Sequence, residues 1–410
     1  MEGGDSVRRR RRPAGERKTV GLLVAVLLVA VARFVVVAAM LDPVDFLALQ
    51  SIRKALEDAP GSHFFSSWDF TGDPCAFSGV FCAGDRVVAL SLGDPRAGSP
   101  GLLGRLDPAV GRLSVLAELS LVPGRVAGPV PSGIAQLANL RFLALSRNFL
   151  SGTIPPGIGA LRQLRTLDLS FNQLSGTIPA SLGAVPALSN LVLCHNRLSG
   201  TVPSFYSPSL VRLDLKHNNL SGEVTVLPDS LQYLSLSWNR LEGPVGGVVA
   251  HLVQLNYLDL GVNRFTGAIP SSVFSFPLTS LQLQRNRFTG SVLPPEEVAI
   301  PTVDLSYNRL SGPISPTFAA VRSLYLNNNQ FTGEVPASFV ARLLDSGIQI
   351  LYLQHNYLTG IQMNPTAEIP MSSSLCLQYN CMVPPVAAPC PVKAGRVKTR
   401  PTAQCVEWRG

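Results

Sequence analysis

Residues 161–179 read LRQLRTLDLSFNQLSGTIP, and the chain keeps returning to this phrase. Its pattern is Leu-x-x-Leu-x-x-Leu-x-Leu-x-x-Asn-x-Leu-x-Gly-x-Ile-Pro. Aligned on the Asn, the copies fall at Asn148, Asn172, Asn196, Asn218, Asn239, Asn263, Asn286, Asn308, Asn329, Asn356 and Asn380. Successive gaps are 24, 24, 22, 21, 24, 23, 22, 21, 27 and 24 residues, the period of a solenoid whose turns stack on their neighbours. Two weaker turns precede them, with Gly124 and Pro95 in the place of the Asn. The expected architecture is an α/β repeat, a right-handed solenoid of thirteen turns, as a horseshoe or a superhelix.

Each position of the unit has a physical role. Leu167 and Leu169 belong to a short strand segment whose alternate side chains point inward. One turn alone cannot bury that face, so stacked turns share a continuous core. The Asn stands where the chain turns in, and its amide must find backbone partners in adjacent turns. These residues are therefore scaffold. A Gly four residues later (Gly152, Gly176, Gly200 and their equivalents) suits a bend that a Cβ would hinder. The Ile-Pro that follows (Ile154-Pro155, Ile178-Pro179, Ile269-Pro270) suits an extended edge before the return segment.

The LxGxIP signature resembles the plant-specific class of leucine-rich repeats, over roughly residues 42 to 390. That family includes extracellular domains of receptor kinases, receptor-like proteins and polygalacturonase-inhibiting proteins. The resemblance implies disulfide-closed N- and C-terminal caps and partner binding on the concave face. It leaves the ligand open, because function sits on variable surface positions.

The organisation expected is a leader (1–39), an N-terminal cap (40–84), the repeats (85–371) and a last half-repeat with a Cys-rich cap (372–410). In the leader, a basic segment precedes a run from Val20 to Met40 that is apolar but for Arg33. This reads as a secretory signal, cleaved after Ala32 or Ala39. An uncleaved anchor holding the repeats outside a plasma membrane is the alternative. The leader carries eight Lys/Arg and three Asp/Glu, leaving +3 of the formal +8 for the rest. A mature protein built to bind nucleic acid or another polyanion is not supported by that balance.

In the N-terminal cap, Asp42 can cap a helix with Pro43 at its first position. Phe46, Leu49, Ile52, Ala55 and Leu56 share one face of it. The segment around Trp68, Asp73, Pro74, Cys75, Gly79, Val80 and Cys82 resembles the N-terminal cap of the family, with Phe77 where the family usually has Trp. The resemblance pairs Cys75 with Cys82. No second Cys pair lies near for a zinc site, and a disulfide implies an oxidising compartment.

At the far end Cys376, Cys381, Cys390 and Cys405 allow three pairings. An extended strand separates the Cα atoms of Cys376 and Cys381 by more than about 10 Å, beyond the ~7 Å a bridge allows. The pairing favoured here is Cys381–Cys390 with Cys376–Cys405. No apolar run follows Cys405, and the sequence carries no kinase set of Gly-rich loop, HRD and DFG. Asn219-Leu220-Ser221 is the usable glycosylation sequon.

Candidate binding residues come from two columns. The position before the Asn runs Arg147, Phe171, His195, His217, Trp238, Val262, Arg285, Tyr307, Asn328 and His355. The position six before it includes Arg212, Tyr233 and Tyr257. Phe171, His195, His217, Tyr233, Trp238 and Tyr257 are read as one mid-solenoid aromatic patch for protein or carbohydrate contact. Arg197, Arg240, Arg264, Arg287 and Arg309 form a rim file, within which Arg264 and Arg287 are candidates for an acidic ligand. Asp168, Asp214, Asp259 and Asp304 share a column that suits solubility or structure better than glycoside chemistry. Cys194 is the odd cysteine, expected as a free, non-catalytic thiol on the concave face.

The function expected is a secreted, non-catalytic recognition or adaptor protein, with no cofactor and no metal. Its partner would be an extracellular protein or peptide, such as a receptor-kinase ectodomain. An inhibitor of a wall-degrading enzyme, or a pectin-binding wall protein, is the alternative.

Overall fold

The computed structural model describes residues 40–93, 101–121, 123–364, 366–384, 390 and 399–406. The leader lies outside them. The chain divides into Met1–Met40 and Leu41–Gly410, and the second unit carries the caps and the repeats.

Its inner face is a fourteen-stranded sheet running from Val80–Ala83 to Ser374–Cys376. Val80–Ala83 pairs antiparallel with Arg86–Leu92, and from there the strands run parallel, one per turn, thirteen in all. The second strand of each turn builds an outer sheet, nine strands from Leu56–Asp58 to Arg264–Thr266 and then four from Thr289–Gly290 to Tyr357–Ile361. Between the two sheets lies one core of Leu, Ile, Val and Phe, with Leu167, Leu169, Leu191, Leu193 and their equivalents fully buried. Among the described residues, six return segments hold a single 3-10 turn, four of them entered from a proline, as at Ala180–Ala184 after Pro179.

The Asn residues join the turns. In Asn172, Nδ2 donates to the carbonyls of Leu145 (3.0 Å) and Leu169 (3.1 Å), while Oδ1 accepts from the Leu150 N–H at 2.9 Å. One amide thus fastens its own turn to the turn before at two points. The bonds recur at every repeat through Asn380, which holds the carbonyls of Leu353 and Leu377 and the Leu358 N–H. The Gly four residues on takes a positive φ, and at Gly176 a Cβ would come within 2.8 Å of Thr153 Cγ2.

The N-terminal cap is the helix Pro43–Ala55, whose Asp42 side chain accepts from the Val44 and Asp45 N–H groups. Leu49 and Ile52 pack down as the periodicity requires. Asp45, a polar residue on the buried face, was missed by that periodicity. It is fully buried and accepts from Arg86 Nε and Nη2, both at 3.0 Å, and from the Val87 N–H. Cys75 and Cys82 are bonded, Cα to Cα 5.7 Å. Phe77 stacks on Trp68 at 5.3 Å, the packing that an aromatic at that position provides.

The C-terminal pairing differs from the one expected. Cys376 is bonded to Cys390 and Cys381 to Cys405, not Cys381–Cys390 with Cys376–Cys405. The path of the chain explains it. Cys390 returns beside Gln378, its Sγ 3.1 Å from Oε1, on the side of the last inner strand. Thr399 bridges Asn380 and the Arg400 N–H donates to the Asn380 carbonyl, which sets Cys405 within reach of Cys381. The expected pairing nests one bridge inside the other, whereas the two bridges interlace.

Asn308→Ala strips bonds from the Phe288 N–H and from the Leu283 and Leu305 carbonyls. At about 1–3 kcal/mol for each buried group left unpaired, it should lower stability by several kcal/mol in denaturant or thermal melts. An exposed change such as Gln163→Ala should cost less than about 0.5 kcal/mol.

Candidate functional site: the ring stacks of the inner face

The residue before each Asn adopts a left-handed backbone. Arg147, Phe171, His195, His217, Trp238, Val262, Arg285, Tyr307, Asn328, His355 and Tyr379 all lie between φ 52° and 59°. This costs about 1–2 kcal/mol for a residue with a Cβ. Bonds between turns offset it: Phe171 N–H to the Cys194 carbonyl at 2.9 Å, His195 N–H to that of Lys216 at 3.0 Å, and the same along the column. The backbone there favours Gly or Asn, so the rings at four consecutive turns are not a local preference.

Those rings form a single stack. Phe171 lies on His195 at 4.2 Å, His195 on His217 at 4.2 Å and His217 on Trp238 at 5.0 Å, with planes within 18° throughout. The Arg147 guanidinium closes the open end, 4.3 Å from the Phe171 centroid. Tyr233 and Tyr257 make a separate stack in the inner sheet, 4.6 Å apart, with Arg212 3.8 Å over Tyr233. The single patch expected is therefore two parallel stacks. The first lines the edge of the inner sheet just past the strand ends. Arg147 and Arg212 stand in the same columns as the rings, a signal present in the sequence but given no role.

Between the stacks run carboxylates and hydroxyls. Asp168 accepts from the Ser170 N–H and Oγ, and Asp259 from the Ser235 and Ser237 hydroxyls and the Gly261 N–H. Asp214 is buried, with Arg212 at 3.1 Å and Lys216 at 3.9 Å. Burial above all holds Asp259 and Asp304 above the ordinary carboxylate value, against the hydrogen bonds from Ser237 and Ser306. Burial likewise holds His195 and His217 below 6.5, helped by the His217 charge at His195 and by Lys216 at both.

Cys194 is not on the surface. It is 3% exposed, and burial, with the nearby Asp214 charge, pushes its thiol up to about 11. His195 is turned into the ring stack and serves it as no base. Arg264 and Arg287 are exposed on the rim. Asn219 is exposed at the head of the outer strand Asn219–Gly222. Among the described residues no group of three or more His, Cys, Asp or Glu is placed to hold a metal ion, and no helix is long and apolar enough to cross a membrane.

Residues 42–83 match the leucine-rich-repeat N-terminal domain family. Residues 139–161, 163–185, 320–341 and 206–223 match leucine-rich-repeat families. The chain belongs to the leucine-rich-repeat proteins, and it is similar to plant receptor-like proteins. Receptor-like protein 7 of Arabidopsis thaliana is 32% identical over 36% of this chain and 15% of its own. The crystal structure of PEPR1 with AtPEP1 is 28% identical at a TM-score of 0.64, covering 82% of this chain and 52% of that one. A plant ice-binding protein structure is 26% identical at 0.54, covering 81% and 99%. The chain thus spans a small part of the receptor-like protein and about half of the PEPR1 structure. Its fold is that of a plant leucine-rich-repeat receptor ectodomain.

These environments have two measurable consequences. Iodoacetamide should leave Cys194 unmodified in the native protein at pH 8 and label it once the chain is unfolded. The folded protein binds fewer protons at His195 and His217 than the unfolded chain does, between their lowered pKa values and 6.5. Stability should therefore fall as pH drops through that window. His195→Gln/His217→Gln should flatten the loss between pH 7 and pH 5 in thermal melts.

Proposed function

We propose that this chain is a secreted, non-catalytic recognition protein that takes a peptide or protein partner on its inner face. The observation that carries the reading is the pair of ring stacks. In the first, large flat side chains occupy left-handed backbone positions. In the second, two tyrosines stand in neighbouring inner strands. In both, each ring is braced against its neighbour before any partner arrives. Rigid rings lose little conformational entropy on binding, which makes them efficient contact residues.

PEPR1 is a structural relative seen with a bound partner, which agrees with this use of the fold. Carbohydrate is a poorer fit, because sugars dock on open ring faces and, in the first stack, all but the outer face of Trp238 lie against a neighbour. Ice is a poorer fit too. A crystal plane needs a flat, uncharged repeat, and the Ser-Gly-Thr triplets of the outer strands recur only at residues 151–153, 175–177 and 199–201 before Glu223 and Glu242 interrupt the pattern.

We place the mature protein outside the cell, with a glycan at Asn219. Secretion from plant cells and N-terminal sequencing should find a start near Arg33 or Met40. Material that began at Met1 would mean that the leader is not removed.

The site is tested on one partner captured from plant cell-wall extract by the mature protein and identified by mass spectrometry. Trp238→Ala and Tyr257→Ala should each weaken its binding on the order of tenfold or more. Arg264→Glu and Arg287→Glu should have a smaller effect that fades with salt. The opposite ranking would mean that the rim is the site and the ligand an acidic polymer or enzyme surface.

A further inference from the structure

The ring stack lies where positive groups outnumber the exposed negative ones. Arg147 heads its column and Arg285 stands in the same column beyond Val262, its guanidinium 4.3 Å over Tyr307. Two residues further along the corresponding turns are Arg197, Arg240 and Arg264, all exposed. Among the described residues the ion pairs involve Arg86, Arg212, Lys216, His251 and Arg342. Within that set Arg147, Arg197, Arg240, Arg264 and Arg285 have no carboxylate in salt-bridge reach.

The nearest acidic groups offset them only in part. Asp304 acts on Arg285, and exposed Glu242 stands in register with Arg264. Asp168 accepts from Ser170 and Asp259 from Ser235 and Ser237, and the Asp214 side chain is 2% exposed. The rings themselves add to the same sign. Stacked face to face, they present their edges, and an aromatic edge is the positive end of its quadrupole. Imidazole edges carry an N–H as well. Phe171 is closed by Arg147 at one end, and at the other Trp238 stacks on His217 alone.

We infer that the segment bound along this edge is acidic, an extended carboxylate-bearing peptide stretch lying parallel to the solenoid axis between Arg147 and Arg285. This rests on the recognition reading above and specifies its ligand. Those two residues stand six turns apart, about 29 Å at a strand spacing of ~4.8 Å, which an extended chain covers in about nine residues. Carboxylates along such a chain meet Arg147 and Arg285 at its ends, the rim arginines on one side and ring edges beneath. The site also gains charge as the medium acidifies. The groups facing the two imidazoles are Arg147, Lys216, Asp214 and Asp259. A bound carboxylate would favour protonated His195 and His217 and be held more tightly by them.

The test is selection of a random linear dodecapeptide library on the folded, secreted protein at pH 5.5. Enriched peptides should be net acidic. Their affinity should fall tenfold or more with Arg147→Glu/Arg285→Glu, and with the milder Arg147→Gln/Arg285→Gln should the first fold poorly. Affinity should also fall from pH 5.5 to pH 7.5, a dependence lost in His195→Gln/His217→Gln.

Neutral or basic peptides that still lose binding with Trp238→Ala would overturn the acidic ligand while leaving recognition by this face intact. Peptides insensitive to Trp238→Ala would remove the face itself. An oligogalacturonate of equal charge that displaces the peptides through the same two arginines would transfer the site to an acidic polysaccharide and overturn the peptide.

Discussion

The structure depends on a side-chain amide that bonds to two turns at once. From Asn172 onward each repeat Asn donates to a carbonyl of its own turn and one of the turn before, and accepts an N–H from the latter. No smaller polar residue could reach all three. With the amide fixed, the chain must enter it from a left-handed residue, and that residue's side chain is thrown to the edge of the inner sheet. The scaffold bond and the display of the ring stack are thus one device. A solenoid with a different inward hinge would have no reason to hold Phe171, His195, His217 and Trp238 at a common pitch.

What the turn supplies is position, and sequence supplies the contents. Aromatic pairs contribute roughly 0.5–1.5 kcal/mol beyond burial, enough to keep adjacent rings parallel but too little to organise them without the backbone. The two histidines carry an opposing tendency. They stack well when neutral and repel when both are charged, so the stack is most settled at neutral pH. The serine-bound carboxylates between the stacks keep the inner face polar while presenting few free anions.

The period made the fold legible, because each turn repeats the same burial problem and the same solution. The helix of the N-terminal cap was legible from its apolar face, apart from Asp45, whose partner Arg86 is 41 residues away. Site residues could be sorted into columns but not into stacks. Tyr233 sits in a strand and Trp238 beyond it, and only three-dimensional register shows that these two columns run side by side. Cys194 looked like a surface thiol because its column holds mostly polar residues, yet its turn packs closely enough to bury a small side chain. The C-terminal disulfides escaped because the two bridges interlace, which spacing does not encode.

The Asn bonds between turns involve only the inner bend, and the return segments are joined more sparsely, as by Ser181 Oγ to the Pro156 carbonyl and Ser207 Oγ to that of Pro186. Repeats of 21 to 27 residues therefore stack side by side, and the segments 202–210 and 223–231 carry no helix where the turn before them forms the 3-10 segment Ala180–Ala184. The two faces accordingly answer to different constraints in evolution. The outer one can shorten, lengthen or lose its helices without disturbing the inner pitch. A whole turn can be copied or dropped between the caps, and the row of displayed side chains then grows or shrinks by one rung while every other rung keeps its neighbours.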